Sequence, residues 1–513
     1  MHPAAQFQKM QQPLSPDSER HFRTDHLKAD IKGRAARGGA LAVSSQGVKF
    51  IVQMGATVVL ARLLTPSDYG LIGMVAVVIG FVSIFKDMGL SAATIQKEEI
   101  TPEQISTLFW INVAVSAGVM LVTAALAPVI AWFYKEPRLA LITVGYAAGF
   151  LTGGLTVQHE ALLRRQMRFA ALAVLEITAL VAGIVAAILL AWKGAGYWAL
   201  VANQLVLGLV YAIGVWAVCG WWPGRPVRGA GIRSMLAFGG NLTGFNIVNY
   251  FGGNLDNLLV GRMWGAQMLG FYAKAYQLPL LPIDQINTPV SAVVVPTLSR
   301  LTDEPERYGA AYRRILEKLT IMTMPLAAFM IGTSDWLVRF VLGPQWGETA
   351  RIFFILGFAA FVVPVNNSTG WLFMTQGRTR EMLHWGFIDV SMKVASVVAG
   401  LPWGATGVAL AIVIRIYIQS PILYWYVGRK GPVRATHFYR AIAPAACAFA
   451  VTLAALYGLR QLLTNVSPAV ALAASFGVTV CATLLALVAL PKGRAALLDL
   501  KNTLFLLIAR RRA

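Results

Sequence analysis

Between Arg37 and Pro491 the chain is one apolar run after another, each about 18–25 residues long and broken only by short charged or Gly/Pro loops. That spacing leaves few folds open. An apolar stretch of about 20 residues is the length of helix that crosses a bilayer, whereas a soluble globule of 513 residues could not hide so much apolar length. Mean hydropathy of +0.62, with 57% hydrophobic residues against 13% charged, excludes a disordered chain and an ordinary two-domain enzyme. The sequence therefore predicts an all-α polytopic membrane protein. About fourteen transmembrane helices are expected, near 38–61, 70–94, 106–133, 139–161, 170–192, 197–221, 235–260, 270–298, 319–341, 350–375, 381–402, 405–427, 441–460 and 467–490.

An even number of spans puts both termini on one side, and the basic loops say which. Lys28, Lys32, Arg34 and Arg37 precede the first span, alternate later loops carry Arg164/Arg165/Arg168, Arg225/Arg228/Arg233, Arg313/Arg314/Lys318, Arg378/Arg380 and Arg429/Lys430/Arg434, and the chain ends Arg510-Arg511-Arg512. The positive-inside rule then places both termini in the cytoplasm. The net charge of +21 is thus mostly topology. Basic residues scattered over many loops, without interleaved aromatics, speak against nucleic acid as a partner.

Residues 1–37 are polar, contain Pro3, Pro13 and Pro16 and lack a secretory apolar stretch, so they read as a disordered cytoplasmic tail that is not cleaved. Residues 491–513 read as a basic cytoplasmic tail. Cys219, Cys447 and Cys481 fall far apart inside predicted spans and read as reduced, buried thiols. The six histidines are dispersed, and there is no GxxxxGK[ST] loop, HExxH or nucleophile elbow. No catalytic residue, metal or cofactor is expected on that basis.

The chain also matches itself. "LARLLTPSDYGLIGM" and, 200 residues on, "LVGRMWGAQMLGFYA" align Arg62 with Arg262 and Gly70 with Gly270; "WKGAGYWALV" (192–201) meets "PWGATGVALA" (402–411) at an offset of 210. Each motif takes the same place in a six-helix half, so the expected architecture is two parallel six-helix lobes, 38–225 and 226–430, followed by a helical pair at 431–490.

"LARLLTPSDYGLIGM", "FKDMGLSAATIQ", "TLFWIN", "ALLRRQMRF", "GYWALV", "VPTLSRLTDEPERY", "LGPQW" and "GATGVALA", in this order between about residues 35 and 430, resemble the polysaccharide transporter family of lipid-linked oligosaccharide flippases, within the multidrug/oligosaccharidyl-lipid/polysaccharide exporter superfamily. Each motif is weak alone; their order and spacing make the set specific. The resemblance implies a bacterial inner-membrane flippase that moves an undecaprenyl-pyrophosphate-linked oligosaccharide for exopolysaccharide or lipopolysaccharide synthesis, with a polymerase and a chain-length regulator as partners in the export pathway. It assigns no individual residue.

A charge at the centre of a membrane helix costs roughly 2.5–3.5 kcal/mol on insertion scales, so such residues usually face a cavity or a partner. Gln46, Lys49 and Gln53 form one polar stripe at i, i+3, i+7 in the first span, and Asn246, Asn249, Tyr250, Asn254 and Asn257, with Asp256 adjacent, form another in the seventh. Both stripes are candidate cavity linings; the alternative is that the amides join helices and Lys49 snorkels. Asp389 and Lys393, four apart, read as a self-neutralising pair. Arg415 has no acid within a turn, and its guanidinium suits bidentate phosphate binding, so it ranks with Lys49 as a substrate contact. Arg62 and Arg262, at helix ends, serve either as anchors or at the cavity exit. Glu176, Asp335 and Asp389 are the acids available for proton or sodium coupling.

Pro279, Pro282, Pro289 and Pro296 in the eighth span, and Pro364 in the tenth, mark either discontinuous helices or packed kinks. The run 299–318 reads as an amphipathic helix on the cytoplasmic interface. Two other functions stay open: a multidrug/metabolite exporter of the same superfamily carrying a small cationic drug or metabolite, which should concentrate more membrane carboxylates, and a membrane polysaccharide polymerase or ligase, which should carry a large outward loop.

Overall fold

The computed structural model describes residues 31–87, 94, 100–227, 233–463 and 466–499, and among these there is helix and no strand. In chain order the helices are α1 (Ile31–Leu63), α2 (Pro66–Asp87), α3 (Pro102–Tyr134), α4 (Arg138–Arg165), α5 (Phe169–Trp192), α6 (Trp198–Cys219), α7 (Arg233–Ser299), α8 (Pro305–Gly332), α9 (Ser334–Val341), α10 (Gly347–Thr375), α11 (Thr379–Gly400), α12 (Gly404–Gly428), α13 (Ala435–Leu462) and α14 (Pro468–Ala489). Eleven helical runs among the described residues are long and apolar enough to cross a membrane, and two of them, Gly252–Ser299 and Thr379–Gly428, are 48 and 50 residues long, enough for two crossings each.

The chain divides into two compact units, Met1–Asn254 and Leu255–Ala513. In the first, α3 packs on α4, α5 on α6 and α1 on α5. Its core is aromatic: His159 stacks on Trp216 at 4.3 Å, and its Nε2 lies 3.1 Å from the Trp221 carbonyl. The first third of α7, up to Asn254, belongs here: the Tyr250 hydroxyl donates to the Val77 carbonyl at 2.8 Å and its ring fills the space that a Cβ on Gly80 would need.

In the second unit α8 packs on α10 and α13, α10 on α12, and α11 on α12. The helical pair after residue 430 is part of this core. Ala441, Ala445 and Ala448 form a small-residue face on α13 that lets it approach closely, and Phe438 stacks on Tyr424 at 4.6 Å.

Several expectations change. Helix α1 starts at Ile31, inside the expected tail; residues 1–30 of that tail and 500–513 of the basic one lie outside the described residues, and 491–499 are helical. The run 299–318 forms no separate interfacial helix. From Pro305 it is the first half of the uninterrupted α8, and its apolar face is buried in protein, with Tyr308 and Tyr312 hydroxyls 2.6 and 2.7 Å from Thr375 and Ser368. The prolines of the eighth span do not interrupt their helix: the non-helical residue within α7 is Gly265 (φ 78°). Pro364 likewise sits inside continuous α10. Cys219 is buried, but Cys447 and Cys481 are exposed, because the outer faces of α13 and α14 are apolar without being packed.

The internal repeat has a structural counterpart. Thr65, between α1 and α2, and Gly265, at the break in α7, are 200 apart. Gly194 (φ 79°) and Gly404 (φ 73°), 210 apart, both take left-handed backbone in the turn before the sixth helix of each half. Met167 (φ 55°) and Gly377 (φ 67°), again 210 apart, do so in the turn before the fifth.

Candidate functional site

Among the described residues of the first unit, an ion pair joins two helices, α1 and α5. Ala56 of α1 packs against Leu180 and Ile184 of α5, and further back along the same seam Lys49 Nζ lies 2.7 Å from Glu176 Oε2. The two side chains are 23% and 30% exposed, so they are partly dry. The acid opposite Lys49 comes from another helix, 127 residues on. Gln46 and Gln53 are exposed beside it. Asn254 donates to the Tyr250 carbonyl of its own helix at 3.1 Å, and the side chains of Asn246 and Asn249 lie outside the described residues.

In the second unit the charges of α11 are paired crosswise. Asp389 does not neutralise Lys393 one turn on; it accepts from Arg415 Nη1 at 2.8 Å and Gln419 Nε2 at 2.7 Å, and Arg415 also donates to Gln419 Oε1 at 2.9 Å. Arg415 therefore has an acid, supplied by α11. Lys393 Nζ reaches Asp256 Oδ2 at 3.5 Å, and the same oxygen accepts from the Tyr272 hydroxyl at 3.0 Å. Asp256 is buried, and its other oxygen has no hydrogen-bond partner among the described residues; the same holds for Asn257 Oδ1. Two cations and two carboxylates of α7, α11 and α12 thus form two adjacent couples. Pairing and hydrogen bonding are what make such charges tolerable away from water.

Asp335 falls outside both clusters. It is clamped by Arg460 at 2.9 and 2.5 Å, a bidentate contact that ties α9 to α13, so it is a helix-end tie and not an isolated acid. Arg62, in the last turn of α1, is exposed, and Arg262, half-buried, precedes the break at Gly265; both are placed at helix ends as expected.

Sequence reasoning missed Asp256 as a charge partner, and Tyr272 altogether. It also missed the paired turns before the fifth helix of each half. Arg168 donates to the Val218 carbonyl at 3.0 Å, and Arg378, 210 residues later, donates to the Val427 and Lys430 carbonyls at 3.0 and 2.8 Å. The "QMR" and "QGR" at these positions are the signal that would have found them. Outside the helices, the Glu136 carboxyl is held below its usual range by the Arg138 guanidinium, which donates at 2.8 Å.

Residues 59–351 match the family described as polysaccharide biosynthesis protein. The chain is 26% identical to the teichuronic acid biosynthesis protein TuaB of Bacillus subtilis over 68% of its own length and 72% of that protein's. It is 26% identical to the lipopolysaccharide biosynthesis protein WzxC of Escherichia coli over 74% of this chain and 76% of the relative. Among solved structures, the lipid II flippase MurJ in an inward closed conformation superposes with a TM-score of 0.68 at 12% identity, covering 86% of this chain and 96% of that one. An inward-facing multidrug resistance MATE family transporter superposes at 0.58, with 13% identity and coverage of 78% and 94%. The chain belongs to the polysaccharide biosynthesis protein family and is a multi-pass membrane protein with the fold of the lipid II flippase.

Proposed function

We propose that this protein is a flippase that moves undecaprenyl-pyrophosphate-linked oligosaccharide repeat units from the cytoplasmic to the periplasmic leaflet of the bacterial inner membrane, by alternating access and without covalent chemistry. Both termini face the cytoplasm in this reading, and the translocated unit passes to a polymerase acting with a chain-length regulator. Family membership and fold support it, but the observation that carries it is the state of the membrane cations. Each unit holds a cation paired by a carboxylate of another helix: Lys49 with Glu176, and Arg415 with Asp389.

A pyrophosphate entering a low-dielectric cleft loses its hydration, and fixed cations must compensate. A cation held ready by a carboxylate meets that need without leaving a bare charge in the membrane when no substrate is bound. The arriving phosphate displaces the carboxylate, which is then free to take up a proton; Glu176 and Asp389 are the coupling acids in this scheme. Gln46 and Gln53 beside Lys49, Asn257 near Asp256, and the exposed end of Arg62 supply neutral and cationic donors suited to sugar hydroxyls and phosphate. Asn246, Asn249 and Asn254 are proposed lining residues of the first unit, and Arg262 of the second.

The test is where the lipid-linked intermediate stands. In a strain lacking the native gene, repeat units should accumulate on the cytoplasmic face, and the wild-type protein should return them to the periplasmic face. Single units displayed outside the null strain would point to a polymerase and sink the reading.

A further inference from the structure

At the arginine-bearing end of the second unit, three helical segments enclose a groove of about 610 Å³: the early turns of α8, the early turns of α13 and the helical residues 491–499. Its third wall is pinned in place. Arg314 and Lys318 of α8 both bind the Asp499 carboxylate, Lys318 at 2.8 Å, and so hold the terminal segment against α8. Arg313 lies 3.8 Å from Glu317. Arg440 and Lys492, which also line the groove, have no ion pair or side-chain hydrogen bond among the described residues. Four cations therefore line it against two carboxylates, and both carboxylates are already engaged.

Deeper in, the lining changes character. Ile321 lies two turns beyond Arg313, about 12 Å along α8, and it is joined by Ala441, Pro444, Ala495 and Ala496. Small side chains leave the space open, and none can solvate a charge. A cationic mouth over an apolar floor, on helices long enough to cross the bilayer, matches an amphiphile with an anionic head.

We propose that this groove binds an anionic phospholipid, its phosphate lodged between Arg440 and Lys492 and its glycerol and upper acyl carbons lying along Ile321, Ala441 and Pro444. The site is separate from the paired charges of α1, α5, α11 and α12 and does not depend on what those carry. Occupancy would add a second fastening between α8, α13 and the terminal segment, beyond the Asp499 clamp.

The full-length protein, delipidated in a neutral detergent, is titrated with dioctanoyl phosphatidylglycerol, dioctanoyl phosphatidylcholine and glycerol phosphate, and bound molecules are counted by native mass spectrometry. One phosphatidylglycerol should bind saturably, with affinity lowered about tenfold by Lys492→Gln and about as much by Arg440→Gln, since each removes a charge-assisted contact. Both side chains are exposed, so neither change threatens folding. Lys492→Arg should bind like wild type. Equal binding by wild type and the Lys492→Gln/Arg440→Gln double variant, equal affinity for phosphatidylcholine, or no saturable binding at all would overturn the proposal. Glycerol phosphate binding as tightly as the lipid would overturn it too, and would assign the groove to a soluble phosphate.

Discussion

Replacing Lys49 by Gln leaves Glu176 without its 2.7 Å partner, and replacing Glu176 by Gln leaves the ammonium bare. Breaking a dry pair from one side costs more than removing both charges, by about 3–5 kcal/mol when fully buried and less at this partial exposure. Each single variant should therefore lower the amount of membrane-inserted protein, and the Lys49→Gln/Glu176→Gln double variant should regain it. Surface polysaccharide normalised to inserted protein should stay low in the double variant, because the phosphate-compensating cation is gone; wild-type output there would remove Lys49 from the site. The second unit gives a contrast of the same kind. Helical spacing alone pairs Asp389 with Lys393 and makes their joint neutralisation harmless. The crosswise pairing makes it harmful, since Asp389→Asn/Lys393→Gln strands both Arg415 and Asp256. Asp256→Asn/Lys393→Gln, which removes a true couple, should be inserted at the higher level on quantitative immunoblots of the membrane fraction. The cations of the site were legible in the sequence because a charge inside an apolar run is conspicuous. Their partners were not, because periodicity reports neighbours along one helix and carries no information about which helices touch.

The turns decide where each helix ends, and here the repeat is most visible. Gly404 takes φ 73° beneath the Trp264 ring, whose Nε1 donates to the Leu401 carbonyl at 2.9 Å. A Cβ there would meet Trp264 only at ordinary contact distance, so Gly404→Ala should cost about 1–3 kcal/mol for a positive-φ, extended backbone that only glycine readily adopts, and little else. Gly407→Ala should cost more, because its Cβ would fall 2.5 Å from the Gly400 carbonyl oxygen and force α11 from α12. Thermal unfolding in detergent should rank wild type above Gly404→Ala and Gly404→Ala above Gly407→Ala; the reverse order for the two variants would contradict this account of the turn. Glycine in "PWGATG" was readable as a turn from sequence, whereas Met167, which takes the left-handed position that Gly377 holds in the other half, was not, since nothing in a methionine advertises that backbone. The terminal segment adds a pH-dependent contact. Hydrogen bonds from Arg314, and then Lys318, hold the Asp499 carboxyl below its ordinary value. A depressed carboxyl stabilises above its unfolded-state pKa and loses that contribution as pH falls through the lowered one. Hydrogen exchange over residues 491–499 should accordingly stay slow across the usual carboxylate range and quicken below it, and Asp499→Asn should quicken it at neutral pH.

At the scale of the molecule, hydropathy was enough to place the helices, because the bilayer fixes their length at about 20 residues whatever they pack against. The same rule misjudged the margins. It set the start of α1 at residue 38, where apolarity begins, although backbone hydrogen bonding carries the helix back to Ile31 through small and basic residues. It also read 299–318 as surface because charges alternate there, although the tyrosines on the opposite face are core. Orientation rests on a different physical ground, the asymmetry of Lys and Arg between alternate loops, and calls for its own measurement. Residue 137 lies between α3 and α4 and residue 440 near the start of α13, so fourteen spans would put the first after three crossings and the second after twelve. Loops that follow even crossings carry Arg164, Arg165, Arg168, Arg378 and Arg380, and charges of that sign are retained on the cytoplasmic side during insertion. A phosphatase that works only in the periplasm should be active when fused after Pro137 and silent after Arg440, and a fluorescent protein that folds only in the cytoplasm should show the opposite. Activity of the phosphatase at both sites would mean that the number of crossings between α3 and α13 is wrong by one. Inverted activity at both would place the arginine-bearing loops, and with them the groove between α8, α13 and residues 491–499, on the periplasmic face.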